Sequence, residues 1–244
     1  AARVMANRIW QHHFGRGLVA TPNDFGAPGE RPSHPELLEW LAADLVQGEW
    51  RLKRLHKLIM SSSVYLQSTQ VDEQRAAIDP ENILLWRRSP RRLEAEAIRD
   101  AMLAIGGQLD TTPYGPGTLD ANMKRRSVYF SIKRSQLIPM MMLFDWPEHL
   151  VSIGQRSTTT IAPQALAFLN SPQGRSFAEG FANRLPAERQ PAIEMAYRLA
   201  FGREPTSAEQ SALIDFLDQQ TKARGDDAQP DAARLAMIDL CQTL

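Results

Sequence analysis

Between Arg3 and Gly26 the chain reads RVMANRIWQHHFGRGLVATPNDFG, and this stretch holds the densest set of groups able to move protons or grip an anion. His12 and His13 are side chains that titrate near neutral pH, Arg16 offers a guanidinium fork, and Asp24 is a carboxylate able to orient either histidine. Together they are candidates for general acid–base chemistry, with His12 or His13 as the acid or base and Arg16 and Asp24 orienting it. Adjacent residues on a helix point roughly 100° apart, so His12 and His13 do not share one metal, and no metal site is expected. The elements that must position these groups are a helix carrying Met5, Ile9 and His13 on one face, with Trp10 and Phe14 beside them, and a turn opening at Gly15 and Gly17. The same residues fit a plainer role, with the histidines facing the negative end of the helix dipole and Asp24 closing a turn of its own backbone.

A second set of charged groups lies further on. Arg87, Arg88, Arg91 and Arg92, and then Lys124, Arg125, Arg126, Lys133 and Arg134, are the densest basic groups in the chain. Guanidinium groups make bidentate contacts to carboxylates, sulfates and phosphates, so an anionic polysaccharide or an acidic protein face fits them; so does pairing with Glu94, Glu96 and Asp100. Residues 87–134 carry ten Lys or Arg against five Asp or Glu, and residues 161–244 carry eight against eleven, a local +5 and −3. The whole chain has 28 of each sign. With zero net charge over the whole chain, nucleic acid is not an expected partner.

Other chemistries lack their signatures. The single cysteine, Cys241, excludes an internal disulfide and a C-x-x-C-H haem attachment, so no cofactor is expected within this chain. No serine sits in a G-x-S-x-G elbow, and the DFG at 24–26 has no glycine-rich phosphate loop to accompany it. No apolar run approaches the roughly 18 residues of a membrane span. The chain begins without an initiator Met and stops within the pattern LAMIDLCQTL, which suggests a piece of a longer protein.

With 43% hydrophobic residues the chain can bury a sizeable core. The periodicity predicts a mainly α, multi-helix globular domain with a minor β element, one domain over 1–244 with a subdivision at 1–135 and 136–244 left open. Ser33 and Glu36 suggest a capping box ahead of Leu37, Leu38, Leu41 and Leu45. Leu52, Leu55 and Ile59 mark a third helix with His56 at its boundary. Ser89 and Pro90 suggest the start of a helix whose inner stripe is Leu93, Ala97, Ile98, Ala101, Met102 and Ile105. SVYFSIKRS alternates as a strand near 127–135, to be paired with residues 117–123 or with a segment outside the chain. LIPMMMLFDWPEHL suggests a buried irregular crossing, and Thr158–Thr160 the cap of a short helix. Thr206 and Glu209 form a second capping box, and RGDDAQPD (224–231) a loop.

RVMANRIWQHHFGRGLVATPNDFG, HPELLEWLA, PENILLWRRSPRRLEAEAIRDAMLA, KRRSVYFSIKRS, TTTIAPQALAFLNSP and YRLAFGREPTSAE follow one another along most of the chain. Taken together they resemble the C-terminal domain of unknown function of large planctomycete and verrucomicrobial proteins, many of which also carry a cytochrome-c-like domain. The resemblance implies an extracytoplasmic location, other domains of the parent chain as partners, and haem, if present, elsewhere in that parent. It implies no activity. Two functions follow from residues and resemblance together: an accessory or binding module of a large multidomain protein, or an enzyme domain acting on anionic carbohydrate through His12 or His13, with Arg16 and Asp24 orienting. They are told apart by whether these four residues converge in an accessible concavity.

Overall fold

Apolar residues at three- and four-residue spacing dominate the chain, and the computed structural model, which describes residues 1–147, 152–224 and 231–244, is correspondingly mainly helical. The described residues form eleven α-helices and one short 3-10 turn, and their only β pairing is two isolated bridges. Two compact units result, Ala1–Arg92 with Val151–Arg156, and Leu93–Leu150 with Ser157–Leu244. The subdivision left open at 135/136 lies inside the second of these.

In the first unit, α1 (Ala2–Phe14), α2 (Pro35–Gln47) and α3 (Leu52–Met60) pack around Ile9, Trp10, Leu38, Leu41, Leu45, Leu55 and Ile59. Each fully buried aliphatic side chain contributes about 1.5–3 kcal/mol through lost apolar surface. A short α4 (Glu73–Ile78) follows. The loop after α1 is tied back by Asn7, which is fully buried; its Nδ2 donates to Val19 O at 3.0 Å and its Oδ1 accepts from Val19 N at 2.8 Å. Gly15 turns the chain with φ 88°, and a Cβ on Gly17 would lie 2.5 Å from Val19 O, so both positions demand glycine.

The second unit contains α5 (Ala95–Ile105), α6 (Pro139–Leu143), α7 (Ala162–Asn170), α8 (Pro172–Ala182), α9 (Arg189–Phe201), α10 (Ser207–Ala223) and α11 (Ala232–Thr243). Met141, Phe144, Trp146 and Phe130 fill one cluster beside Ala95. Phe181, Ala196, Ile238 and Cys241 fill another, and Ile193, Tyr197, Leu217 and Leu240 a third. The expected crossing at LIPMMMLFDWPEHL is buried at Ile138, Met141, Phe144 and Trp146, its last three residues lying outside the described ones. The capping box at Thr206 forms, with Glu209 N donating to Thr206 Oγ1 and Thr206 N to Glu209 Oε2. Arg203 also grips Glu209 and holds its carboxyl down at about 2. The loop expected at 224–231 falls on residues 225–230, outside the described residues.

Four local expectations change. The strand near 127–135 is instead a 3-10 turn over Ser127–Tyr129, and only Thr118, inside the expected partner segment, bridges Phe130. The reason is local: Asp100 Oδ1 accepts Ser127 N at 2.7 Å and Arg99 reaches Ser127 Oγ at 3.2 Å, which fold the segment onto α5 before it can extend. α2 starts at Pro35 with His34 as its cap residue, because Ser33 is turned away to Leu18 O. α5 starts at Ala95, six residues after Ser89, since Arg88 and Arg91 are bound elsewhere. Its buried stripe is Ala95, Arg99 and Leu103, with Leu93 59% exposed. α7 is capped at Ile161 rather than by the threonines, Thr159 donating to Asp145 instead.

Candidate functional site

The C-terminal turn of α1 places His13 against α3. His13 Nε2 lies 2.8 Å from His56 Nδ1, so one proton bridges two imidazoles, and the Tyr65 ring stands edge-on to His13 with centroids 5.6 Å apart. Arg88 closes the group from the far side of the sequence. Its guanidinium sits 3.7 Å from the Tyr65 centroid and 5.3 Å from that of Phe14, while Nη2 donates to His13 O at 3.1 Å. Arg91 donates to His12 O. The last carbonyls of a helix have no partner within it and carry the negative end of the dipole, so two guanidinium groups there cap the helix and screen the dipole at once. Burial, then the neighbouring His56, Arg88, Arg91 and His12, lower the pKa of His13 and favour its neutral form.

The remaining members of the expected acid–base set do not join it. His12 is exposed. Arg16, half exposed, donates to Glu81 at 3.1 Å and reaches Glu30 at 3.7 Å. Asp24 Oδ1 accepts Gly26 N at 2.8 Å, the turn anticipated from sequence, and its own carbonyl accepts from Thr21. The hollow beside this stretch is about 60 Å³, bordered by Trp10, Phe14, Arg16 and Glu81, and neither histidine lines it.

Of the basic groups, Arg87 lies against the Trp86 ring, its Nε buried without a hydrogen-bond partner, and Arg92 is half-buried in the chain leading to α5. Arg125 stacks 3.7 Å from the Tyr129 centroid and donates to Thr112 O, Tyr114 O and Pro116 O, closing the TTPYGPGT loop. Arg126 pairs with Asp100 at 3.3 Å, and Lys133 and Arg134 are exposed. Lys124 borders a cleft. That cleft, about 230 Å³, lies between α5, the first turns of α8 and the 121–124 loop, and its lining includes Arg99, Gln108, Asn122 and Gln173.

Arg99, at 2% exposure, escapes the sequence reading. Its guanidinium donates to Met123 O, Arg125 O and Ser127 Oγ, and packs 4.8 Å from the Phe130 centroid. Burial lowers its pKa against the pull of Asp100 and Asp120. The signal that would have found it is its place between Ala95 and Leu103 at four-residue spacing, the spacing of a buried stripe. His56 reads in the sequence as a boundary residue of α3, and its meeting with His13 across 43 positions has no sequence signature.

A larger hollow of about 480 Å³ in the second unit is lined by Ile98, Met102, Phe168, Phe177, Phe181 and Cys241 among others, almost wholly apolar. Burial pushes the Cys241 thiol up to about 12, so it is a packed sulfur and not a nucleophile. Among the described residues no three or more His, Cys, Asp or Glu side chains cluster as metal ligands, and no helix is long and apolar enough to cross a membrane.

Neither the curated proteins nor the solved structures contain a match to this chain. Residues 1–217, most of its length, match the family model described as PSD1, protein of unknown function (DUF1553). With the described helices, both basic groups and the Arg99 cleft largely inside that span, the chain is a member of the PSD1 (DUF1553) family.

Proposed function

We propose that the chain is an accessory, ligand-binding module of a larger extracytoplasmic protein, working beside other domains of its parent and without turnover of its own. The observation that carries this is the employment of Arg88 and Arg91 on the carbonyls of His13 and His12. The groups that would have to grip and activate a substrate in the acid–base alternative are engaged in fixing α1, and His13, Arg16 and Asp24 each contact a different partner. His13, favoured in its neutral form and hydrogen-bonded to His56, suits a structural clamp better than a proton shuttle, which must reach a bound substrate. Location outside the cytoplasm and association with a haem-bearing parent come from the family resemblance and belong to the same proposal. Any haem would be held by that parent.

The test is a panel of anionic and neutral polysaccharides offered to the parent protein, scored for retention and for release of new reducing ends. Retention without release is the expected result. Release that disappears in a His13→Gln variant of unchanged thermal midpoint would establish the enzyme reading instead.

A further inference from the structure

The cleft between α5 and α8 is distinguished by what lines it. Two cations, Arg99 and Lys124, and three amide side chains, Gln108, Asn122 and Gln173, border it, and no carboxylate does. Of the five N–H donors on the Arg99 guanidinium, three are bonded, and all three acceptors are neutral. The two nearby carboxylates are committed: Asp100 accepts Ser127 N and pairs with Arg126, while Asp120 Oδ1 accepts Asn122 N at 2.9 Å. Among the described residues no carboxylate pairs with Arg99 at ion-pair distance, so its buried guanidinium, held by neutral acceptors, is left to take an anion as its direct partner.

The amides are positioned rather than loose. Gln108 Nε2 donates to Ser176 O at 3.1 Å and Gln173 Nε2 to Ala121 O at 3.3 Å, which fixes both groups and leaves their side-chain oxygens as acceptors. A ligand meeting this arrangement needs an anionic group for Arg99 and Lys124 and hydroxyl donors for the amide oxygens. At about 230 Å³ the space is smaller than the roughly 300–1,000 Å³ of most ligand pockets, so it suits one sugar-sized unit. We infer that this cleft binds a polyhydroxylated carboxylate of the hexuronate class, its carboxylate facing Arg99 and Lys124. The inference adds a ligand class to the accessory-module reading and rests on it. The same chemistry is presented by a free sugar acid and by the end of a uronic acid polymer.

Lys124 is the residue to change, because it is exposed and contributes to the fold only through its backbone carbonyl, which accepts Asp110 N. Calorimetric titration of the chain with glucuronate, galacturonate, an oligouronide and glucose should give saturable binding of the acids and none of glucose. Lys124→Ala should weaken it at least tenfold with an unchanged thermal midpoint, and Lys124→Arg should keep it. Tighter binding of the oligouronide would assign a chain end as the ligand, and equal binding a free sugar acid; both support the inference. Absence of saturable uronate binding, equal binding of glucose, or binding untouched by Lys124→Ala would overturn it. Reducing ends released in the same samples would overturn the accessory reading alone, so the two failures are distinguishable.

Discussion

Arginine does two different jobs in the two units. At the end of α1, Arg88 and Arg91 approach a helix terminus whose carbonyls are unpaired by construction, and the stacking of Arg88 on Tyr65 and Phe14 makes it part of the packing. At α5, Arg99 is buried more deeply, held by neutral acceptors, and borders open space together with Lys124. The lesson is that density of basic residues along a sequence does not locate an anion site. What matters is whether a cation, once its local acceptors are satisfied, still faces a space that no acid lines.

The comparison can be broken most forcefully at Arg99. Its replacement by alanine leaves Met123 O, Arg125 O and Ser127 Oγ without their donor and opens a void, so a loss of about 3 kcal/mol or more is expected in chemical denaturation. A loss below about 1 kcal/mol would mean the guanidinium is not built into the second unit as described. Arg88→Ala should cost about 2 kcal/mol, from two charge-assisted bonds, to His13 O and Tyr65 O, and two ring contacts, seen as a lower thermal midpoint. If that variant instead melts with the wild type and loses affinity for an anionic polymer, the capping role assigned to it is wrong.

Acid sharpens the contrast, since only the first unit holds an imidazole pair. The pKa of His13 is lowered in the folded state by burial and by its cationic neighbours, so the unfolded chain takes up the proton more readily. Stability from neutral His13 is complete above about 6.5, the unfolded value, and is lost as pH falls below it toward the lowered folded value. Midpoints measured from pH 7.5 to 5 should fall for the wild type and fall less for His13→Gln; parallel curves would remove His13 from the acid response. The smallest effect is expected for Arg16→Ala. Its two carboxylate partners are exposed, as it is, and such pairs are worth about 0–1 kcal/mol.

Much of this architecture was legible beforehand. Leu38, Leu41, Leu45, Leu55 and Ile59 line the core as their spacing required, and Thr206 and Glu209 form their capping box because that motif is satisfied within four residues. The Asp24 turn was legible for the same reason, and Lys124 was named among the basic candidates. What could not be read depends on contacts distant in sequence. His13 and His56 meet only once α1 and α3 pack, Arg88 reaches α1 across 75 positions, and the alternating SVYFSIKRS gives up strand geometry to two side chains of α5. Arg99 was hidden for another reason: an arginine in a buried stripe contradicts the apolar pattern used to find such stripes.

The central claim, that the first unit's arginines serve the fold while the second unit's cleft takes the anion, is tested most directly by mapping amide chemical shifts during titration with glucuronate. The account predicts saturable changes at residues 99, 108, 121–124 and 173–176, with residues 12–16 and 87–91 unmoved. Changes concentrated at 12–16 and 87–91, with the cleft silent, would contradict it.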